Sequence, residues 1–193
     1  MTPSGPAGSP PPLAGGGDGK AGGRPAPRHV VLVGLSGSGK STVGRLLGDR
    51  LSRPFVDTDD VVVALAGRPI PEIFAAEGEA AFREVERRAV AWALEGAPGV
   101  VATGGGAPLD AANRERLWTG NLVVWLDAPV DVLVRRVGAA GAGRPLLSGD
   151  AAARLTRLAE ARRPVDATAH LPLVTSGMTP ADVAAAIISA LED

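Results

Sequence analysis

A glycine-rich octapeptide, Gly34-Leu-Ser-Gly-Ser-Gly-Lys-Ser41, separates a run of apolar β-branched residues from a segment with helical periodicity. The run at residues 29–34 predicts a buried strand closed by glycine, and residues 40–51 predict a helix. In that setting the glycines let successive backbone N–H groups face one anion, and the start of the helix adds partial positive charge. The octapeptide fits G-x-x-x-x-G-K-[ST] at every fixed position, which predicts a phosphate-binding loop.

The loop also indicates which residues would hold a nucleotide. Lys40 can reach the β- and γ-phosphates, and Ser41 can offer its hydroxyl to Mg²⁺. A glycine-rich turn with a solvated lysine is the alternative, but motif, preceding strand and following helix all agree. We therefore expect ATP or GTP binding. The residues expected to line the phosphates are Gly37, Ser38, Gly39, Lys40, Ser41 and Thr42.

Short β-rich runs alternate with longer helical segments through the rest of the chain. Strands are predicted at residues 55–56, 100–103, 121–126 and 171–174, and helices at 61–66, 71–78, 79–95, 130–137, 151–163 and 180–191. Strands joined by crossover helices predict an α/β fold of three layers, in which a parallel, five-stranded sheet is flanked by helices. Ligands bind such sheets at the carboxyl ends of the strands, where the motifs fall.

Composition divides the chain into two regions and limits the partners and compartments that we expect for it. Residues 1–27 are rich in Pro, Gly, Ala and Ser, which predicts a disordered tail before a folded domain at residues 28–193. The 193 residues carry a net charge of −1, so we expect neither a nucleic-acid partner nor a membrane partner. The absence of cysteine excludes disulfides and Cys-ligated metals. No apolar run reaches the length of about 18 residues that a membrane span needs. We expect a cytoplasmic monomer.

An acidic triplet, Asp57-Thr-Asp59, follows the second predicted strand. One carboxylate there can take a Mg²⁺-bound water, and another can orient an acceptor hydroxyl or accept its proton. Acidic residues at a helix start are also ordinary caps, so the triplet alone leaves both interpretations open.

An arginine lies within a mostly acidic helical segment, beside phenylalanines. Arg83 and Glu86 are three residues apart and share a helix face. Glu86 can hold the guanidinium while its free edge grips a carboxylate ligand in a bidentate fork. A surface salt bridge beside two core phenylalanines would give the same pattern.

Five segments occur in an order and at a spacing that resembles the shikimate kinase family. They are the phosphate loop, Asp57-Thr-Asp59, the F-x-x-x-G-E-x-x-F-R-x-x-E pattern from Phe74 to Glu86, Gly104-Gly-Gly106, and Arg144-Pro-Leu-Leu147. The resemblance spans about residues 28–191. It implies a P-loop NTPase fold with a mobile lid, and a transferase that uses ATP and magnesium to convert shikimate to shikimate 3-phosphate. That reaction belongs to the shikimate pathway, which supplies chorismate and the aromatic amino acids.

The resemblance implies roles for the matched residues that surround the transferred phosphate, both the nucleotide ligands and the candidate base. Lys40 and Ser41 would hold ATP phosphates and Mg²⁺, with Lys40 contributing to catalysis. Asp57 would act on the metal through water. Asp59 would bind the acceptor's hydroxyls and is the candidate base for the one that is phosphorylated.

On the acceptor side, the resemblance assigns the shikimate carboxylate to Arg83. The backbone N–H groups of Gly104, Gly105 and Gly106 would close on the ring, although a flexible turn after a strand is the plainer interpretation of three glycines. Arg162 matches the family's second substrate-binding arginine, with Arg163 beside it leaving the register open by one residue.

Three further positions follow from the same resemblance. Arg144 lies in a Gly- and Ala-rich stretch at residues 138–149, which suits a lid that brings an arginine onto the transferring phosphate. A plain surface loop is the alternative. Arg136 and Pro180 occupy the places where the family sandwiches adenine, although Arg136 could be merely solvated and Pro180 merely a helix start.

Two departures from the family pattern stand out. The family has tyrosine in an R-x-P-x-Y sequence, whereas this chain reads Arg162-Arg-Pro-Val-Asp166 and contains no tyrosine. We expect the aspartate to perturb Arg162 or the packing beneath it, and so to lower affinity or shift substrate preference. The lid is about one residue longer than usual.

Other functions remain open at this point. A kinase for gluconate, another anionic polyol, is the nearest alternative within the enzyme class, although gluconate kinases lack the F-R-x-x-E helix. A nucleoside or nucleotide kinase fits the Arg83 segment and the triple glycine less well. A non-catalytic nucleotide- or metabolite-binding paralogue would bind ligand without turnover, and an ATPase driven by a protein partner would hydrolyse ATP without an acceptor.

Overall fold

A computed structural model describes residues 27–139 and 151–192 of the chain. Five β-strands lie in this part of the chain: β1 (Val30–Val33), β2 (Phe55–Asp57), β3 (Val100–Ala102), β4 (Leu122–Asp127) and β5 (Leu171–Val174). The helices are α1 (Lys40–Leu51), α2 (Thr58–Ala66), α3 (Ile70–Glu95), α4 (Ala111–Trp118), α5 (Val130–Ala139), α6 (Ala151–Asp166) and α7 (Pro180–Glu192), with a short 3₁₀ helix at Ala107–Leu109.

The five strands form one sheet in the order β2-β3-β1-β4-β5, and every neighbouring pair is parallel. This confirms the predicted parallel, five-stranded sheet. Strand β1 lies at the centre, and each of its four residues is buried. From β1 the chain crosses first toward β2 and β3 and then to β4 on the other side. The reversal beside β1 opens a crevice at the carboxyl ends of the strands, where the phosphate loop begins.

Helices cover both faces of the sheet, as the alternating side chains of β1 require. On one face Val30 and Leu32 pack in a cluster with residues of α1 and α7. On the other face Val31 and Val33 pack with residues of α3 and α4. Because successive strand residues point to opposite faces, an all-apolar β1 specifies a sheet with helices on both sides.

Helices α2 and α3 make a smaller apolar cluster beyond the edge of the sheet, centred on Val62, Ile73 and Phe82. Helix α3 is broken at Gly78, whose φ of 79° and ψ of −176° are not helical. The two helical segments predicted on either side of this position are therefore present.

The sequence prediction was wrong in three places. Helix α2 begins at Thr58 rather than at residue 61, because the Asp57 carboxylate accepts a hydrogen bond from the Asp59 N–H and caps it. Helix α6 continues through Pro164 to Asp166. The 3₁₀ helix and α4 were not predicted; α4 is short, and the few side chains that it buries leave little hydrophobic periodicity to detect.

None of the helices in the described part of the chain is long and apolar enough to cross a membrane. The predicted tail falls outside the described residues except for Pro27.

Candidate active site

The phosphate loop, residues 34–41, joins the central strand β1 to α1. Gly37 and Gly39 adopt φ values of 85° and 95°, in the left-handed region that residues with side chains rarely occupy. Gly39 is the N-cap of α1 and has no side chain with which to cap it. The first N–H groups of the helix are therefore available to an anion held by the loop.

The lysine of the loop lies folded against its own backbone. Lys40 Nζ donates to the carbonyl oxygens of Gly34 and Leu35, at 2.9 Å each. The ammonium group is thus held over the concave side of the loop.

A hydroxyl and a carboxylate from two neighbouring elements meet beside the loop. Ser41 Oγ, at the start of α1, donates to Asp57 Oδ2 at 2.6 Å. The other oxygen of Asp57 accepts from the Asp59 N–H. Asp57 is therefore both the helix cap and a potential metal-side ligand, so the two interpretations of the acidic triplet are compatible.

The triple glycine after β3 packs directly against charged side chains. A Cβ atom at Gly104 would lie 2.6 Å from Asp59 Oδ1, and one at Gly106 would lie 2.6 Å from Arg83 Nη1. The Gly104 N–H donates to the buried hydroxyl of Thr58 at 2.9 Å. Both contacts are to the ends of side chains rather than to backbone, so a larger residue at either position would displace the facing carboxylate or guanidinium. The structure thus brings Asp59, Arg83 and the glycine run together, as predicted.

Arg83 is held by two acids on its own helix. Its Nη1 donates to Glu86 Oε2 at 2.8 Å, as the spacing predicted. Its Nε and Nη2 both donate to Glu79 Oε1, at 3.3 and 3.0 Å. Glu79 thus occupies the edge of the guanidinium that the sequence analysis left for a carboxylate ligand. The i,i+4 spacing of Glu79 and Arg83 was a signal that could have identified this contact.

The two acids differ sharply in exposure. The Glu86 side chain is 2% exposed and the Glu79 side chain 67% exposed. Burial raises the pKa of Glu86, and the hydrogen bond and charge of Arg83 work against that rise. Burial alone would lower the pKa of Arg83, but its bonds to Glu86 and Glu79 outweigh this and raise the pKa. Glu86 is a fixed partner of Arg83, and Glu79 is one that solvent reaches.

Arg162 reaches from α6 into the space between the two loops. Its Nη1 donates to the carbonyl oxygen of Gly34 at 3.0 Å and also to that of Gly105. Its Nη2 donates to Asp166 Oδ1 at 2.9 Å. Arg163 is exposed, with its guanidinium 6.0 Å from the centre of the Trp125 ring. Of the two arginines, Arg162 is thus the one that faces the loops.

A cleft of about 640 Å³ runs along the phosphate loop. Arg136 on α5 and Pro180 at the start of α7 both line it, together with Asp59 and Gly105. Asp59 and Gly105, assigned to the acceptor, therefore open onto the same space as the two residues assigned to adenine, whereas Arg83 and Arg162 are not among the residues that line it. Arg144 and residues 140–149 of the predicted lid lie outside the described residues.

Comparison with known proteins agrees with this geometry. The sequence pattern described as "Shikimate kinase" matches residues 36–192. A curated shikimate kinase of Symbiobacterium thermophilum is 51% identical over 168 residues, which cover 86% of this chain and 97% of that protein. The solved shikimate kinase of Acinetobacter baumannii, in complex with shikimate, is 35% identical with a TM-score of 0.81, over 87% of this chain and 94% of that one.

A solved gluconokinase of Sinorhizobium meliloti is a more distant match. It is 22% identical with a TM-score of 0.62, over 88% of this chain and 94% of that one. At this identity the similarity extends to the fold alone. The family pattern and the high identity over nearly the whole domain agree, and the chain belongs to the shikimate kinase family.

Proposed function

We propose that this chain transfers the γ-phosphate of ATP to the 3-hydroxyl of shikimate, with Arg83 holding the carboxylate of the acceptor. Membership of the shikimate kinase family supports the reaction and its place in the shikimate pathway. One observation carries the residue assignment: Asp59 and Arg83 both lie against the backbone of residues 104–106, beside the phosphate loop. That arrangement places a cation that can bind a carboxylate at Gly106 and a proton acceptor at Gly104, the two ends of one short segment.

The nucleotide would lie in the cleft with its phosphates on the loop. Backbone N–H groups of residues 37–42 would surround the phosphates, and Lys40 would exchange its contacts with the loop carbonyls for phosphate oxygens. Arg136 and Pro180 line the same cleft, which supports their proposed contact with adenine. Lys40 would then add positive charge where negative charge gathers during transfer.

Magnesium would bind beside the same phosphates. Ser41 and Asp57 present a hydroxyl and a carboxylate oxygen 2.6 Å apart, and oxygen donors of this kind suit a hard cation. Among the described residues, no group of three or more His, Cys, Asp or Glu side chains could hold a metal. A site of few protein ligands fits Mg²⁺, which usually keeps several waters and binds through substrate phosphates. When bound, the ion neutralises charge on the phosphates.

The acceptor would be held from three sides. Arg83 would bind the carboxylate, and Glu79, which is exposed, can swing away to release the Nε and Nη2 edge for it. The backbone of residues 104–106 would contact the ring, and Arg162, buried behind this loop, would add a second positive charge from there. Asp59 would orient the 3-hydroxyl toward the γ-phosphorus.

The transfer itself is an in-line displacement. The 3-hydroxyl oxygen forms a bond to the γ-phosphorus while the bond from that phosphorus to the β,γ-bridging oxygen breaks, and ADP leaves. The hydroxyl proton passes to the Asp59 carboxylate, which returns it to solvent. We also expect a cytoplasmic monomer. The net charge of −1 gives no reason to expect a nucleic-acid or membrane partner.

The test is ADP release from Mg-ATP with shikimate, with gluconate, with a panel of nucleosides, and without acceptor. We expect fast release with shikimate alone, and shikimate 3-phosphate as the product by ³¹P NMR. Release with gluconate or a nucleoside but not with shikimate would overturn the substrate. Release without acceptor would indicate an ATPase, and ATP binding without release would indicate a non-catalytic protein.

A further inference from the structure

Asp166 and Arg162 form a buried ion pair one turn apart at the end of α6. Their side chains are 3% and 0% exposed, and Asp166 Oδ1 lies 2.9 Å from Arg162 Nη2. In the described part of the chain, no other carboxylate forms a salt bridge with Arg162. The departure from the family's tyrosine therefore does not simply perturb Arg162: it supplies the counter-charge of a guanidinium that solvent does not reach.

Arg162 in turn joins the two loops of the site. The Nη1 group donates both to Gly34, the first residue of the phosphate loop, and to Gly105, in the middle of the glycine run. Gly34 O also accepts from Lys40 Nζ. One guanidinium thus sets the spacing between the loop proposed to hold ATP and the loop proposed to hold the acceptor.

We propose that Asp166 is a positioning residue, which keeps the Arg162 guanidinium between the phosphate loop and residues 104–106. The proposal rests on the proposed function. A buried charge without a partner is strongly destabilising, so Arg162 without Asp166 would leave its place or draw water into the site. The carbonyls of Gly34 and Gly105 would then lose their common donor. Asp166 touches neither substrate in this account and acts through Arg162.

A cavity beside the pair makes it possible to test the charge of the Asp166 side chain separately from its shape. Asp166 lines a cavity of about 310 Å³, together with Leu35, Leu133 and Ala159. The longer side chain of glutamate has room to extend there while its carboxylate still faces Arg162. Asparagine has the shape of aspartate but lacks the charge. If Asp166 acts as a counter-charge, Asp166→Glu is the milder change although Asp166→Asn is the closer isostere.

The experiment compares Asp166→Asn and Asp166→Glu with the wild type in steady-state kinetics at 20 °C, with thermal unfolding measured in parallel. We expect Asp166→Asn to raise the KM for shikimate about tenfold and the KM for ATP about threefold. Asp166→Glu should keep both within about threefold of wild type. The control is Asp131→Asn, which removes the acid of an exposed i,i+4 pair with Arg135. It should change neither constant.

A double substitution tests whether Asp166 acts through Arg162. Arg162→Ala should raise the KM for shikimate, and adding Asp166→Asn to it should cause no further rise. A merely structural role would lower the melting temperature while leaving both KM values at 20 °C unchanged, and would overturn the proposal. So would a lower KM for shikimate in Asp166→Asn, or a further rise in the double variant.

Failure of the proposed function would be visible separately. A wild-type protein that releases no ADP with shikimate overturns that function and the acceptor part of this proposal. Equilibrium titration with ATP still tests the remaining part, since Asp166→Asn should weaken ATP binding about threefold through Gly34. Unchanged ATP affinity would overturn that part too.

Discussion

The two sides of the cleft differ in the groups that they present: one is mainly backbone and the other mainly charged side chains. The nucleotide side is mainly backbone, a glycine-rich loop and the start of α1, within one stretch of eight residues. The acceptor side consists of charged side chains from α2, α3 and α6 that meet the glycine run after β3. Each of its arginines has a buried acidic partner, Glu86 for Arg83 and Asp166 for Arg162.

This contrast separates binding any nucleotide from choosing one acceptor. Backbone amides recognise phosphate in every nucleoside triphosphate, so a local loop is sufficient for that task. To bind an anionic polyol, a site needs cations and a carboxylate at fixed positions in three dimensions. The long arginine side chains must therefore be held in place rather than left mobile. In the proposed function, the buried acids Glu86 and Asp166 would meet this need by fixing the guanidinium groups before the acceptor arrives.

The largest effect is expected at Asp59, where the two sides meet. Asp59→Asn keeps the size of the side chain but removes the proton acceptor, so kcat with shikimate should fall about a hundredfold or more. The KM for ATP should change little. Rapid-quench or coupled ADP assays would measure both constants, with Asp131→Asn, an exposed acid on α5 outside the cleft, as the control. A kcat near that of the wild type would remove Asp59 from the role of base.

A smaller but selective effect is expected at Arg83. Arg83→Ala removes the cation proposed for the acceptor carboxylate, so the KM for shikimate should rise about thirtyfold or more. The KM for ATP should stay within about twofold. The matched control is Arg87→Ala, one turn further along α3, which loses its bonds to Glu84 and Asp110 instead. Equal rises in both KM values would argue against carboxylate binding by Arg83.

The smallest effect is expected at Glu79. It is the exposed partner of Arg83 and occupies the edge that the acceptor would need. Glu79→Gln weakens this competition, and exposed ion pairs contribute little energy, so the KM for shikimate should fall by about two- to threefold. Steady-state kinetics would measure the KM, and isothermal titration with shikimate would measure the Kd. A KM or Kd that rises tenfold would instead mean that Glu79 holds Arg83 in place.

The phosphate loop and the strand and helix that flank it could be predicted from the sequence. The strand, loop and helix around residues 34–41 are neighbours in the chain, and helix α1 has the predicted bounds Lys40–Leu51. The presence of five strands and their parallel direction also followed from the apolar runs and the crossovers between them. Local spacing decided these features, which is why local patterns revealed them.

The acceptor side could be predicted only in part. The Arg83–Glu86 contact followed from helical spacing. That Arg162 Nη1 would reach Gly34 O depends on how α6 lies across the sheet, at a separation of 128 residues in the chain. The counter-charge role of Asp166 depends on burial, and the sequence around Pro164 predicted that the helix would end before reaching it. Packing between distant segments decided these contacts.

The most direct test of the account is a single methyl group at Gly106. In Gly106→Ala the new Cβ would lie 2.6 Å from Arg83 Nη1 and 3.0 Å from Nη2, so the guanidinium must move. We expect isothermal titration to show shikimate binding weakened about tenfold or more, with ATP binding and the melting temperature close to wild type. Shikimate binding that is unchanged would mean that Arg83 and the glycine run do not hold the acceptor, and would contradict the division between the two sides.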